Sequence, residues 1–224
     1  MKRSDMRSGP ERHLQANRIV IVAIGDSLTV GYHSPATEGW MEPTPYTTFL
    51  ERRLGIGNGQ QKSLKFEIQN KGVSGELTSE MLARFDRDVL RVKPDIAIVL
   101  GGSNDIGWGV APTDVFTNLA SMYDAASKSG IETVACSIPS ILGCDLLIPP
   151  RIELNEMIKA YCIERRIAFV DVFRATADPR TNRLLNEYSN DGLHLNARGY
   201  QRIADTIFEE ALEALLSKRI FRSQ

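Results

Sequence analysis

Four apolar runs constrain this chain more than any other feature. They cover residues 18–24, 95–100, 131–138 and 167–172 and are mostly apolar, with polar residues mainly near their ends. A strand that reads this way needs apolar cover on both faces. A fifth segment, residues 64–69, alternates apolar and polar as a half-buried strand does. Helical spacing fills the gaps between runs. Residues 43–54 read as a helix with Pro45 tolerable in its first turn. Thr78 is the expected cap of a helix reaching about Val92, with Met81, Leu82, Phe85, Val89 and Leu90 on one face. Residues 113–129 form the next helix, closed by Gly130. Residues 151–165 follow, preceded by Pro149 and Pro150, and Asn196 caps a final amphipathic helix to about Ser217.

Strands alternating with helices imply parallel βαβ units. The expected fold class is α/β, a three-layer α/β/α sandwich with a five-stranded parallel sheet, flavodoxin-like with strand order 2-1-3-4-5. No repeat, low-complexity tract or linker divides the 224 residues. A single domain over 18–224 with a polar N-terminal arm over 1–17 is the expected organisation.

Composition excludes little but does so usefully. Hydrophobic residues at 42% and charged residues at 25% are ordinary globular values. A formal net charge of -1 gives no ground for a nucleic-acid partner or an anionic membrane surface. The first 17 residues lack the apolar core of a signal peptide, and no stretch approaches ~18 apolar residues, so stable membrane insertion is not expected. Cys136, Cys144 and Cys162 cannot all pair within one chain, which suits reduced thiols and a cytoplasmic location.

In such folds ligands gather at the carboxyl ends of the strands. There the sequence places Gly25-Asp26-Ser27, then Asn70 to Gly75, then Gly101-Gly102-Ser103-Asn104-Asp105, then Pro139-Ser140, and later Asp191-Gly192-Leu193-His194. A serine needs a base and an oxyanion site to react. The chain has only His13, His33 and His194. His13 lies in the polar arm. His33 can line a pocket, but nothing orients it. His194 has Asp191 three residues earlier, a spacing that can bring a carboxylate to Nδ1 and leave Nε2 free. Each residue also has a plainer reading. Asp26-Ser27 can be a helix cap, Asp191 a turn cap with His194 on the surface, Gly25 and Gly75 turn residues, and Asn104 another cap. In the functional alternative Gly75 offers a backbone N–H to an oxyanion and Asn104 a neutral amide donor.

Taken together, these blocks resemble the SGNH hydrolases, also called GDSL-type esterases and lipases. Gly25-Asp26-Ser27-Leu28, Asn70 to Gly75, Gly102-Ser103-Asn104-Asp105 and Asp191-Gly192-Leu193-His194 follow the family's order. Glu76 stands where the family often has Asp. The resemblance implies ester hydrolysis with no metal and no cofactor. It assigns Ser27 as nucleophile, His194 as base and then acid, and Asp191 as its orienter. The N–H groups of Ser27 and Gly75, with the Asn104 side chain, form the oxyanion hole. The α/β-hydrolase elbow is a different motif, because Thr29 occupies its second glycine.

The substrate pocket is expected from Asp26, Trp108, Ile138, Ile141 and Leu142, with Tyr32 and Trp40 in nearby loops. The connection 138–148 is apolar enough to be an acyl wall, a dimer contact or simply core. The expected partner is a small-molecule ester, with a homo-oligomer open. Short acyl esters are favoured over thioesters, lysophospholipids and acetylated carbohydrates. From other classes, a metallophosphoesterase has too few histidines for a dinuclear site, and a non-catalytic ligand-binding module remains to be separated by experiment.

Overall fold

The computed structural model describes residues 18–33, 43–56 and 65–222. The N-terminal arm, Trp40 and Leu64 lie outside the described residues. Five parallel strands, β1 (Arg18–Gly25), β2 (Lys65–Gly72), β3 (Ile96–Leu100), β4 (Glu132–Cys136) and β5 (Ala168–Val170), form one sheet in the order β2-β1-β3-β4-β5. This is the flavodoxin-like order expected from the sequence. β1 lies between β2 and β3, with Ile21 in register with Ile68 of β2 and Ile96 of β3.

The apolar runs are explained by the period-two alternation of strand side chains. Ile19, Ile21, Ala23, Ile96, Ile98 and Leu100 enter one buried cluster; Val22, Ile24, Ala97 and Val99 enter another. The first cluster is covered by α2 (Tyr46–Leu54) and by the C-terminal helices α8 (Ala197–Ile207) and α9 (Glu213–Arg222). The second is covered by α3 (Thr78–Phe85), α5 (Pro112–Lys128) and α6 (Ile148–Arg165). Three short helices sit at the carboxyl edge: α1 (Ser27–Val30), α4 (Ser103–Gly107) and α7 (Val172–Thr176).

Several element boundaries differ from the sequence reading, each for a local reason. Thr78 does not cap α3. Its hydroxyl and N–H both donate to Asp105, while Glu80 accepts from the Leu77 N–H. That helix widens into a π turn over Asp86–Leu90, where the Arg91 N–H reaches back to Asp86 O. Pro149 and Pro150 lie inside the first turn of α6, where a missing N–H costs nothing. β4 stops at Cys136 because the Ile138 N–H is taken by the Asn155 side chain. Asn196 caps α8 as expected, accepting from the Gly199 N–H, but the helical run continues past Ser217 to Arg222 through a second π turn. No helix among the described residues is long and apolar enough to cross a membrane.

Candidate active site

β1 ends against its neighbours so closely that only glycine fits. A Cβ on Gly25 would lie 2.1 Å from Leu100 O and 2.3 Å from Thr29 Oγ1. Close packing, not a turn, therefore explains this glycine. Asp26 then caps α1, its Oδ1 accepting the Leu28 N–H at 2.9 Å, and Ser27 becomes the first helical residue. At that position the Ser27 N–H has no intrahelical acceptor.

The other loops are bonded onto this turn. Asn70 donates to Thr29 O at 2.6 Å, and the Val73 N–H donates to Gly25 O at 2.9 Å. Gly75 has φ +80 in open space, so its backbone conformation, not crowding, demands glycine. Its N–H has no partner among the described residues. Asn104 donates one N–H to Glu76 O at 3.0 Å, beside Gly75, and its second N–H remains available. Gly102, at φ 115, packs against Val115 and Leu154 so tightly that a Cβ would approach both within 3.0–3.1 Å.

His194 comes from the opposite end of the chain. Its Nδ1 lies 2.8 Å from Asp191 Oδ2. Asp191 Oδ1 accepts the N–H groups of Leu193 and His194 at 2.9 and 2.7 Å. Partial burial pushes the Asp191 carboxyl up, but the His194 ring and these two N–H groups outweigh it and hold it below the usual range. Ser189 ties the turn together: its hydroxyl donates to His194 O at 2.6 Å and accepts from the Gly192 N–H at 2.8 Å. The His194 ring meets the Tyr32 ring edge-on at 4.6 Å, and the Tyr32 N–H donates to Ser27 O at 3.0 Å. Tyr200 of α8 fixes this link by donating to Tyr32 O at 2.7 Å. One aromatic side chain thus separates the serine helix from the histidine turn. Ser27 Oγ makes no hydrogen bond among the described residues, so only the Asp191–His194 half of a relay is closed here. Such contacts often tighten only with substrate bound.

The predicted pocket residues divide. Asp26 and Ile138 are 0% exposed and line no open pocket. Trp108 is 80% exposed and forms no wall. Ile141 is buried and Leu142 half-buried, and the backbone of this loop braces the histidine turn: the Leu142 N–H donates to Gly192 O at 2.8 Å. A cavity of about 250 Å³ at the β5 edge, lined by Asn155, Lys159, Phe169, Phe173 and neighbours, contains none of the predicted site residues. His33 is buried edge-on against Tyr200 at 5.5 Å, and neither ring nitrogen has a hydrogen-bond partner among the described residues. Among the described residues no three His, Cys, Asp or Glu side chains converge as a metal site.

Beneath Ser27 lies a polar floor that sequence reasoning missed. Glu76 and Arg84 form a buried ion pair, with Arg84 Nη2 also donating to Gly25 O at 3.3 Å. Asp105 accepts from Thr78. Arg151 is buried beside Ser103. Burial pushes the Asp26 carboxyl up to about 7; Leu28 N–H and Arg151 pull it down, and Asp105 and Glu76 push it further up. Glu76 precedes the helix that carries Arg84, so no helical spacing signalled this pair. Nothing local signalled Arg151.

Residues 23–202 match the GDSL-like Lipase/Acylhydrolase family model. The chain is 26% identical over 124 residues to Esterase TesA of Pseudomonas aeruginosa, covering 55% of this chain and 56% of that protein. It is 28% identical over 139 residues to the Acetylxylan esterase of Geobacillus stearothermophilus, covering 61% and 62%. The chain therefore spans little more than half the length of the curated relatives it matches. A solved G-D-S-L family protein from Desulfitobacterium hafniense superposes with a TM-score of 0.69 at 22% identity, over 85% of this chain and 98% of that one. That likeness shows a shared fold.

Proposed function

The chain belongs to the GDSL-like lipase/acylhydrolase family, and we propose that it is a serine esterase acting on carboxylic esters of short acyl chains. The observation that carries this reading is the 2.8 Å contact between Asp191 Oδ2 and His194 Nδ1. A carboxylate there keeps the proton on Nδ1 and leaves Nε2 bare as a base.

In this mechanism Ser27 Oγ adds to the acyl carbon while His194 Nε2 takes its proton. The carbonyl oxygen becomes an oxyanion, received by the N–H groups of Ser27 and Gly75 and the free N–H of Asn104. Collapse re-forms the carbonyl and breaks the bond to the alcohol oxygen, which leaves with the proton from Nε2. Water then adds to the acyl-serine and gives its proton to Nε2. The second collapse releases the acid and returns a proton to Ser27 Oγ. Such prearranged donors act where charge develops, each worth roughly 2.7–4 kcal/mol in the transition state.

Residues 18–224 act in this reading as one catalytic unit on a small-molecule ester. Carbohydrate acetyl esters are the second reading, favoured by the similarity to an acetylxylan esterase. Thioesters and lysophospholipids would use the same residues. The decisive experiment treats the protein with a fluorophosphonate probe and assays 4-nitrophenyl esters of graded acyl length. Wild type should be labelled and active. Ser27→Ala should lose labelling and some 10⁵–10⁶-fold in kcat, with its melting temperature kept. A mutant near the wild-type rate would sink the assignment, and an unlabelled, inactive wild type would favour a non-catalytic ligand-binding module.

A further inference from the structure

We infer that Arg151 is a positioning residue, whose buried guanidinium clamps the Ser103–Asn104 turn and thereby sets where the Asn104 amide points. This rests on the oxyanion role proposed for Asn104.

Arg151 is only 1% exposed, one of the largest side chains fully inside the protein. Its contacts are few and all lie at the carboxyl edge. Nη1 donates to Ser103 Oγ at 3.2 Å and to Pro139 O at 3.3 Å; Nη2 donates to Ser103 O at 3.5 Å. Nε is buried without a partner. A cation taken out of water without a direct carboxylate is costly, and a packed hydrophobic residue of similar volume would commonly be as stable or more so. Stability alone is thus a poor account of this arginine.

Its position supplies a better one. Among the described residues Asn104 makes a single side-chain bond, to Glu76 O, so its aim depends on the backbone that carries it. That backbone is held on both sides. Asp105 is bonded to the N–H and hydroxyl of Thr78, and Ser103 is gripped by Arg151 at both its hydroxyl and its carbonyl. Gly102, at φ 115, lets the turn pass against Leu154 of α6, one helical turn beyond Arg151. A rigid helix therefore reaches through the guanidinium to the residue before Asn104.

The test is a mutant cycle read in kcat on 4-nitrophenyl acetate. Arg151→Met should lower kcat roughly 10–100-fold with KM within about twofold, the loss expected of a misplaced catalytic group. Arg151→Lys should recover part of it. Asn104→Ala combined with Arg151→Met should be no slower than Asn104→Ala alone, because the arginine acts through that amide. A normal kcat for Arg151→Met, or losses that multiply in the double mutant, would overturn the inference. If Arg151→Met does not melt cooperatively, Ser103→Ala decides instead: a kcat loss absent from the Asn104→Ala background supports the clamp, and no loss refutes it. Absent wild-type turnover and labelling would overturn the esterase reading itself. A labelled wild type with an indifferent Arg151 would overturn only this one.

Discussion

The histidine turn and the polar floor beneath Ser27 are both carboxylate networks, built at opposite scales. Every bond that holds Asp191, Ser189 and His194 together spans five residues or fewer, and the turn sits at the surface. The floor draws Asp26, Glu76, Arg84, Asp105 and Arg151 from five segments and buries them nearly completely. In the turn, water shares the cost of charge, so a substitution acts locally. In the floor an orphaned charge has no solvent to turn to, so removing one partner of a pair such as Glu76–Arg84 is felt as folding free energy.

The largest test of that contrast is Asp191→Asn. It should cost about 10⁴-fold in kcat by misplacing the proton on His194, while leaving the melting temperature near wild type. A comparable loss of stability would erase the distinction between the two regions. Ser189→Ala comes next. It removes one hydroxyl bracing the turn and should slow kcat on the order of tenfold, the worth of about one hydrogen bond. An unchanged rate would mean that Asp191 alone organises the turn.

The smallest effect should appear only in stability. Asp26 is raised to about 7 by burial, above its unfolded range, so the folded state binds its proton more tightly. Its contribution is complete below the unfolded carboxylate pKa and is lost as pH rises through about 7. Asp26→Asn removes that dependence. The melting temperature of Asp26→Asn minus that of wild type should therefore grow between pH 5 and pH 8. A difference constant across that interval would place the carboxyl outside the charged floor.

This contrast also governs what a reader of the sequence can see. Asp191 and His194 announce each other across three residues, and continuous apolar strands reveal a doubly covered parallel sheet. Arg151 and Ser103 lie 48 residues apart in unrelated segments, so no periodicity links them. Thr78 looked like a helix cap because caps are local, yet its hydroxyl had a better partner 27 residues away. Trp108 and Ile138 were natural pocket residues by type. The α4 turn leaves one in solvent, and the sheet edge draws the other inside. Residue type reports what a side chain can do, and tertiary placement decides whether it faces the site.

The bond from Tyr200 to Tyr32 closes a loop of 168 residues. At roughly 5–20 residues per second, about ten to thirty seconds separate the synthesis of its two ends. During that interval the segment carrying Ser27 already exists, but the helix that brings the imidazole against Tyr32 does not. Under the proposed triad, a nascent chain carries Ser27 as an ordinary hydroxyl until the C-terminal segment has docked.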